Sequence, residues 1–213
     1  MKIVIGNKLK ELSKENFKEL LAQEWEKIEV DLGTGNGRYV YKKALEKPNN
    51  LYIGIDPVEK QLRKYSRKAV RKNLENVLFV LASAEMLPEE LENTADKLNV
   101  LLPWGSLLDH VANFNQEHMQ NILAILKSGG DLRLVFGYTE EQEPTETERL
   151  NLENLNEAYI KEELIPRYEN AGLTLKNFKE MTREDLQELE TSWSKKLSFG
   201  KPRPMFLLEF KKK

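Results

Sequence analysis

The stretch Val30-Asp31-Leu32-Gly33-Thr34-Gly35-Asn36-Gly37-Arg38 places an acidic residue at the end of an apolar segment, with three glycines close behind. Glycine adopts positive φ angles without strain and lets a ligand approach the backbone closely. A strand followed by a glycine turn that opens a helix is typical of nucleotide-like cofactor sites in α/β proteins. The dinucleotide pattern G-x-G-x-x-G would need a third glycine at Arg38. The spacing therefore favours a nucleotide-like cofactor other than a dinucleotide.

Composition points to one soluble globular domain. A chain of 213 residues can bury one core, and its 40% apolar and 32% charged residues are ordinary globular values. No apolar run approaches the ~20 residues that span a bilayer, and the amino terminus lacks a signal-peptide cleavage pattern. The absence of cysteine excludes a disulfide framework, thiolate catalysis and cysteine-bound zinc. We expect a single cytoplasmic domain over residues 1–213, acting as a monomer and away from membranes.

Apolar segments alternate with amphipathic ones in a βαβα order, which predicts an α/β fold with a mostly parallel sheet and helices on both faces. Residues 1–12 are predicted to form a hairpin that turns at Gly6-Asn7, followed by a helix that Ser13 caps and that runs to about Glu24. The seven predicted strands of the main sheet are 27–32, 50–55, 76–81, 98–102, 130–138, 173–179 and 203–211.

Two segments exceed what a minimal sheet of this kind requires, 139–156 and 180–202. Long insertions often carry specificity, so both are predicted to recognise the substrate. The first is a polar, acidic connection. In the second, Thr182 could cap a helix that runs through Leu197.

Further cofactor signals follow the predicted strands in order. Asp56 ends the second strand, where a carboxylate can accept hydrogen bonds from both hydroxyls of a ribose. Ligands of open α/β sheets bind outside the carboxyl ends of the strands, and all these signals fall at that edge. With the acid-x-G-x-G-x-G spacing, they resemble the first motif of S-adenosylmethionine-dependent methyltransferases. The residues assigned to this cofactor are Asp31, Gly33, Gly35, Arg38, Asp56, Pro57, Ala84, Glu85, Leu102, Trp104, Ser106 and Thr191.

The charges are segregated, although the net charge is only -2. Seven basic residues and no acid occupy positions 60, 63, 64, 67, 68, 71 and 72, which form one stripe on a helix. The opposite face, with Leu62, Tyr65, Ala69 and Val70, is predicted to pack against the sheet. Solvated faces usually mix both signs, so this stripe favours phosphate binding. The predicted RNA contacts on this helix are Lys64, Arg67, Lys68, Arg71 and Lys72.

Two tryptophans are placed to hold a base. Trp104 follows the fourth strand, and Trp193 lies in the second insertion. A nucleobase modified on its pairing edge must leave the stack, and aromatic faces can hold it once it has left. We assign Trp25 to the core, and His110 and His118 to structural positions because no triad partner accompanies them.

Together these residues resemble the Kam/Npm family of 16S rRNA adenine-N1 methyltransferases, which confer resistance to kanamycin and apramycin. The resemblance covers nearly the whole chain. It rests on 31–38, Tyr52-Ile53-Gly54-Ile55-Asp56-Pro57, Ala84-Glu85, Pro103-Trp104-Gly105 and the Trp-x-Lys-x-Leu-x-Phe-Gly element that begins at Trp193.

The resemblance implies that Trp104 and Trp193 clamp a flipped adenine, adenosine 1408 of the decoding site in the 30S subunit. It also implies that the basic helix, Lys196 and Arg203 hold the rRNA backbone. Pro202 and Pro204 depart from the family, because the loop around Arg203 is more basic in other members. Adenine N1 has a free lone pair at neutral pH, so in-line attack on the sulfonium methyl needs neither a metal nor a strong base.

Three other functions stay open at this stage. The first is a methyltransferase of the same fold that acts on another rRNA or tRNA purine, or on a small molecule. The second is a nicotinamide oxidoreductase, which Arg38 at the third-glycine position opposes. The third is a non-catalytic RNA-binding module that keeps a cofactor fold.

Overall fold

The computed structural model describes residues 1–198 and 203–213. Their strands form one sheet in the order β2-β1-β5-β4-β3-β6-β7-β9-β8. In chain order they are β1 (Lys2–Ile5), β2 (Lys8–Glu11), β3 (Lys27–Leu32), β4 (Asn50–Asp56), β5 (Val77–Leu81), β6 (Ala95–Leu101), β7 (Leu126–Phe136), β8 (Leu173–Glu180) and β9 (Phe206–Lys212). Strands β3 to β7 are parallel, whereas β9 is antiparallel to β7 and β8.

The predicted seven-stranded sheet is confirmed, and the predicted hairpin extends it because β1 pairs antiparallel with β5. Strand β4 is buried along its whole length, as expected for a central strand with helices on both faces. Val30 and Leu32 of β3 face one apolar core, while Tyr52 of β4 and Val135 of β7 face the other.

Helices cover both faces of the sheet. They are α1 (Lys14–Leu21), α2 (Arg38–Glu46), α3 (Glu59–Arg71), α4 (Ser106–Ala112), α5 (Gln116–Ala124), α6 (Pro144–Arg149), α7 (Glu157–Tyr159), α8 (Ile165–Asn170), α9 (Arg183–Glu188) and α10 (Ser192–Leu197), with a 3-10 turn at Glu89–Leu91 and a π-helical turn at Ile160–Leu164. In the described part of the chain, none is long and apolar enough to cross a bilayer.

The predicted helix starts are confirmed, but two predicted helix lengths are wrong. Ser13 accepts a hydrogen bond from the Asn16 N–H at 3.1 Å, yet α1 ends at Leu21 rather than near Glu24. Thr182 and Asp185 form a reciprocal capping box at the start of α9. The predicted helix through Leu197 is interrupted after Glu188, and α10 begins only at Ser192.

The interruption has a specific backbone cause. Glu190 adopts a φ of 56°, in the left-handed region that α-helices do not use. Its carbonyl oxygen accepts a hydrogen bond from Arg38 Nε instead of from a helical N–H. The segment 139–156 also differs from the predicted plain connection, because it contains α6.

Candidate active site and RNA-facing surface

A cleft of about 690 Å³ opens at the carboxyl ends of the parallel strands, within the size range of small-molecule sites. It brings together all the residues assigned to the cofactor from sequence. They are Asp31, Gly33, Gly35, Arg38, Asp56, Pro57, Ala84, Glu85, Leu102, Trp104, Ser106 and Thr191. Trp193 lines the same cleft.

The glycine loop between β3 and α2 leaves no room for side chains at two of its positions. Gly33 and Gly37 both have a φ of 76°. A Cβ on Gly33 would lie 2.6 Å from Leu107 Cδ2, and one on Gly37 would lie 2.4 Å from Phe79 Cε1. The loop therefore keeps its backbone close to the cleft only because these positions are glycine.

Asp31 is a buried acid at the end of β3. Its pKa is raised from 3.8 to about 7, mainly by burial and to a smaller extent by the nearby carboxylates of Asp56 and Glu29. Its Oδ1 atom has no hydrogen-bond partner among the described residues. A buried carboxylate oxygen without a donor fits a cationic group of a ligand, such as the ammonium of S-adenosylmethionine.

Asp56 is held in place by the backbone around it. Its Oδ2 accepts the Gly35 N–H at 2.8 Å, and its Oδ1 accepts the Val58 N–H at 2.9 Å. Burial raises the pKa of Asp56 despite these two bonds. Because an ionised carboxylate can accept about four hydrogen bonds, Asp56 keeps capacity for the two hydroxyls of a ribose.

Glu85 lines another part of the cleft and carries a negative charge. Burial raises its pKa, but interactions with Ser106, Ser83 and His110 outweigh burial and hold the pKa at about 2. An anionic carboxylate accepts hydrogen bonds only, so it suits an amino group such as that of adenine. His110 Nε2 lies 3.1 Å from Glu85 Oε1, and the His110 and His118 rings are 4.3 Å apart.

The two tryptophans predicted to clamp a base are largely exposed at the cleft. The exposed fractions are 54% for Trp104 and 56% for Trp193, and both side chains line the cleft. Trp25 differs, because it packs against the core and its Nε1 donates to the Leu20 carbonyl at 2.8 Å. Two exposed indoles beside a cofactor-sized cleft form a surface for a planar ligand.

Sequence reasoning missed the residues that attach the Trp193 region to the glycine loop. Asn36 and Ser192 exchange hydrogen bonds of 2.8 and 3.1 Å, and Arg38 Nε donates to the Glu190 carbonyl at 2.9 Å. These partners are more than 150 positions apart in the chain. No local pattern could have indicated them.

The basic stripe of α3 faces solvent, as predicted. Lys60, Lys64, Arg67, Lys68, Arg71 and Lys72 are exposed, and Arg63 pairs with Glu59 at 2.6 Å. The predicted packing face is wrong at Val70, which is 49% exposed. Ser66 is buried there instead, because its hydroxyl bonds to the hairpin.

The two remaining predicted RNA contacts, Lys196 and Arg203, follow Trp193 in the chain. Arg203 is paired with Glu143, and its Nη2 donates to Gln142 Oε1 at 2.6 Å. With only 17% of its side chain exposed, Arg203 must leave Glu143 before it can meet a phosphate. The side chain of Lys196 lies outside the described residues, as do residues 199–202 of the predicted recognition segment.

Comparison with known proteins identifies the family. A model of the 16S rRNA (adenine(1408)-N(1))-methyltransferases matches residues 2–212. The enzyme of that name from Escherichia coli is 36% identical over 97% of this chain and 96% of its own. The crystal structure of a 30S ribosomal A1408 methyltransferase from an uncultured bacterium is 46% identical and covers 100% of both chains, with a TM-score of 0.79.

A third relative was solved with its cosubstrate. The 16S rRNA (adenine(1408)-N(1))-methyltransferase of Catenulisporales acidiphilia, a tryptophan-to-alanine variant with SAM, is 27% identical. Its TM-score is 0.88, over 100% of this chain and 96% of its own. From its fold, its cleft and the match over nearly its whole length, the chain belongs to the 16S rRNA (adenine(1408)-N(1))-methyltransferase family.

Proposed function

We propose how this S-adenosylmethionine-dependent enzyme, which methylates N1 of adenosine 1408 in 16S rRNA and confers aminoglycoside resistance, divides its cleft between cofactor and target base. The residues at the carboxyl ends of β3, β4 and β5 hold the cofactor. Trp104 and Trp193 hold the adenine. The observation that carries the proposal is the position of both exposed indoles on the one cleft that contains every predicted cofactor residue.

Each acid of the cleft suits a different part of S-adenosylmethionine. Asp31 would pair with the ammonium of the cofactor through its unpartnered Oδ1. This ion pair would also offset the free-energy cost of burying the charge of the Asp31 carboxylate. Asp56 would accept hydrogen bonds from the ribose hydroxyls of the cofactor. Glu85 would accept one from the amino group of the cofactor's own adenine. When bound, S-adenosylmethionine supplies a methyl group on a positively charged sulfur, which makes the methyl electrophilic.

The protein then works mainly by positioning. Adenine N1 carries a free lone pair at neutral pH, so no side chain has to remove a proton from it before attack. Trp104 and Trp193 contribute by holding the flipped base so that water is excluded and adenine N1 is in line with the methyl group of the cofactor.

We propose that a broad surface around the cleft recognises the 30S subunit. The exposed bases of α3 would contact rRNA phosphates, and segments 139–156 and 180–202 would surround the flipped base. Glu143 in the first segment already contacts Arg203, which follows the second. The protein would act as a monomer in the cytoplasm, where 30S subunits are found.

Methyl transfer into purified 30S subunits, mapped by primer extension, tests this assignment. Trp104→Ala and Trp193→Ala should each slow methylation of A1408 by about 100-fold, because base stacking contributes roughly 1–3 kcal/mol. S-adenosylmethionine binding should fall far less, and Trp25→Phe serves as the control that leaves the cleft intact. Cells that express the unaltered protein should resist kanamycin, apramycin and gentamicin together.

Unchanged methylation in both alanine variants would contradict the clamp. Methyl transfer to tRNA in place of 30S subunits would contradict the assignment of 16S rRNA as the substrate.

A further inference from the structure

The connection between α9 and α10, residues 189–191, sits directly before Trp193. Glu190 has a φ of 56° in this connection, a backbone conformation that costs a non-glycine residue about 1 kcal/mol or more. Thr191 Oγ1 accepts the Ser194 N–H at 2.8 Å and so caps the helix that carries Trp193. The direction in which α10 begins therefore depends on how this connection is held.

Glu190 is held at both its backbone and its side chain by residues of α2. Arg38 Nε donates to its carbonyl oxygen at 2.9 Å. Its carboxylate forms an ion pair with Lys42 and lies 3.5 Å from Lys43 Nζ. The side chains of these three charged groups are one quarter to one third exposed, so the pairs are shielded from water more than ordinary surface pairs.

The charge on Glu190 is maintained by the same contacts. The hydrogen bond from Lys42 is the largest influence on its pKa, which lies below the ordinary value despite partial burial. The carboxylate is thus an anion that two lysines attract toward α2. This attraction opposes the tendency of the connection to relax out of its left-handed conformation.

Asn36 provides a second attachment, one residue beyond the connection. Its side chain exchanges hydrogen bonds with Ser192, and Asn36 itself belongs to the glycine loop that lines the cleft. The chain is therefore attached on both sides of Thr191, to α2 through Glu190 and to the cofactor loop through Ser192.

We propose that Glu190 is a positioning residue of the base clamp: its ion pairs with Lys42 and Lys43 hold the connection so that Trp193 stands at the cleft before rRNA binds. This inference rests on the proposed function, which places Trp193 against the adenine. Glu190 itself touches neither the base nor the methyl. Its effect on catalysis passes through the orientation of α10.

A double-mutant cycle between Glu190 and Trp193 tests the inference. The single-turnover rate of methyl transfer to 30S subunits is measured with excess enzyme and saturating S-adenosylmethionine for four proteins: wild type, Glu190→Ala, Trp193→Ala and the double variant. Glu190→Ala should slow the wild-type enzyme by about tenfold but leave the Trp193→Ala enzyme unchanged. Glu190→Gln, which keeps the shape but loses the charge, should give an intermediate rate.

Glu19→Ala is the matched control, because Glu19 is exposed on α1, lies outside both recognition segments and has no ion pair in the described part of the chain. It should keep the wild-type rate. Thermal unfolding of each variant separates a local effect from a loss of folding, since the rate loss is expected without a matching fall in Tm.

An equal slowing by Glu190→Ala with and without Trp193 would overturn the inference, as would a wild-type rate for Glu190→Ala. In either case a slow Trp193→Ala enzyme would leave the clamp itself standing. A wild-type rate for Trp193→Ala would instead remove the clamp, and this inference with it.

Discussion

Ser66 of α3 joins the basic helix to the amino-terminal hairpin. Its hydroxyl accepts the Gly6 N–H at 2.8 Å and donates to the Val4 carbonyl at 2.8 Å. Ser66→Ala should lower the free energy of unfolding by about 2 kcal/mol, because it leaves two backbone groups without their partner. Urea denaturation followed by circular dichroism measures the change.

An exposed serine provides the control for this variant. Ser128 also donates to a backbone carbonyl, that of Lys213 at 3.1 Å, but water can replace its hydroxyl. Ser128→Ala should cost less than about 0.5 kcal/mol. If the two variants were equally stable, the Ser66 bridge would contribute nothing to holding the hairpin.

The raised pKa of Asp31 makes stability depend on pH in a defined direction. Between about pH 4 and pH 7, folded Asp31 keeps a proton that the unfolded chain has released. The free energy of unfolding should therefore fall as the pH rises through this window, by on the order of 4 kcal/mol in total. Urea denaturation at several pH values, without added S-adenosylmethionine, measures the slope.

Asp31→Asn isolates this effect from other titrating groups. The variant cannot ionise at this position, so its stability relative to the wild type should increase from pH 4 to about pH 7 and then level off. A difference that stays constant over that range would show that Asp31 titrates normally in the fold.

Removing charge from α3 should weaken 30S binding in a salt-dependent way. The double variant Arg67→Ala/Arg71→Ala should bind 30S subunits about tenfold more weakly. The negative slope of log affinity against log salt should become shallower by about two. Filter binding at several salt concentrations measures both quantities. S-adenosylmethionine affinity should stay unchanged.

The double variant Lys161→Ala/Lys176→Ala removes the same charge far from α3. Lys176 lies on β8, the strand at the opposite edge of the sheet from the hairpin, and Lys161 lies over Phe178 of that strand. Affinity and salt slope should remain at their wild-type values. An equal loss in both double variants would mean that net charge, rather than the α3 stripe, drives binding.

The parts of the site that follow strand ends could be predicted from sequence. Asp31 and Asp56 lie at the ends of their strands, and Glu85 and Trp104 lie in the loops that follow the next two strands; a parallel sheet must bring such positions to one edge. The order of these residues along the chain was sufficient to place them at the cleft, because the fold class supplies the remaining geometry. Thr191 and Trp193 follow α9 instead of a parallel strand, so this argument does not place them.

Contacts between distant segments could not be predicted in this way. Ser66 interrupts an apolar face and looks like a surface residue until the hairpin packs on it. The region from Thr182 to Leu197 contains neither glycine nor proline, so the break at Glu190 was not predicted, although Thr191 is a residue type that often begins a helix. Both features depend on partners brought close only by the folded chain, and so does the pairing of Arg203 with Glu143.

Substituting two glycines with similar φ angles, Gly37 in the cofactor loop and Gly129 in β7, can distinguish backbone strain from steric overlap. Gly37 and Gly129 have φ angles of 76° and 72°, but only Gly37 faces a neighbour, the buried ring of Phe79. Gly129→Ala should cost about 1 kcal/mol through its backbone conformation alone. Gly37→Ala should cost about 2 kcal/mol more, since the new methyl would overlap the ring, and it should weaken S-adenosylmethionine binding, which Gly129→Ala should not. Chemical denaturation and calorimetric titration of both variants measure these differences, and equal losses would mean that Phe79 moves aside freely and the loop tolerates a side chain.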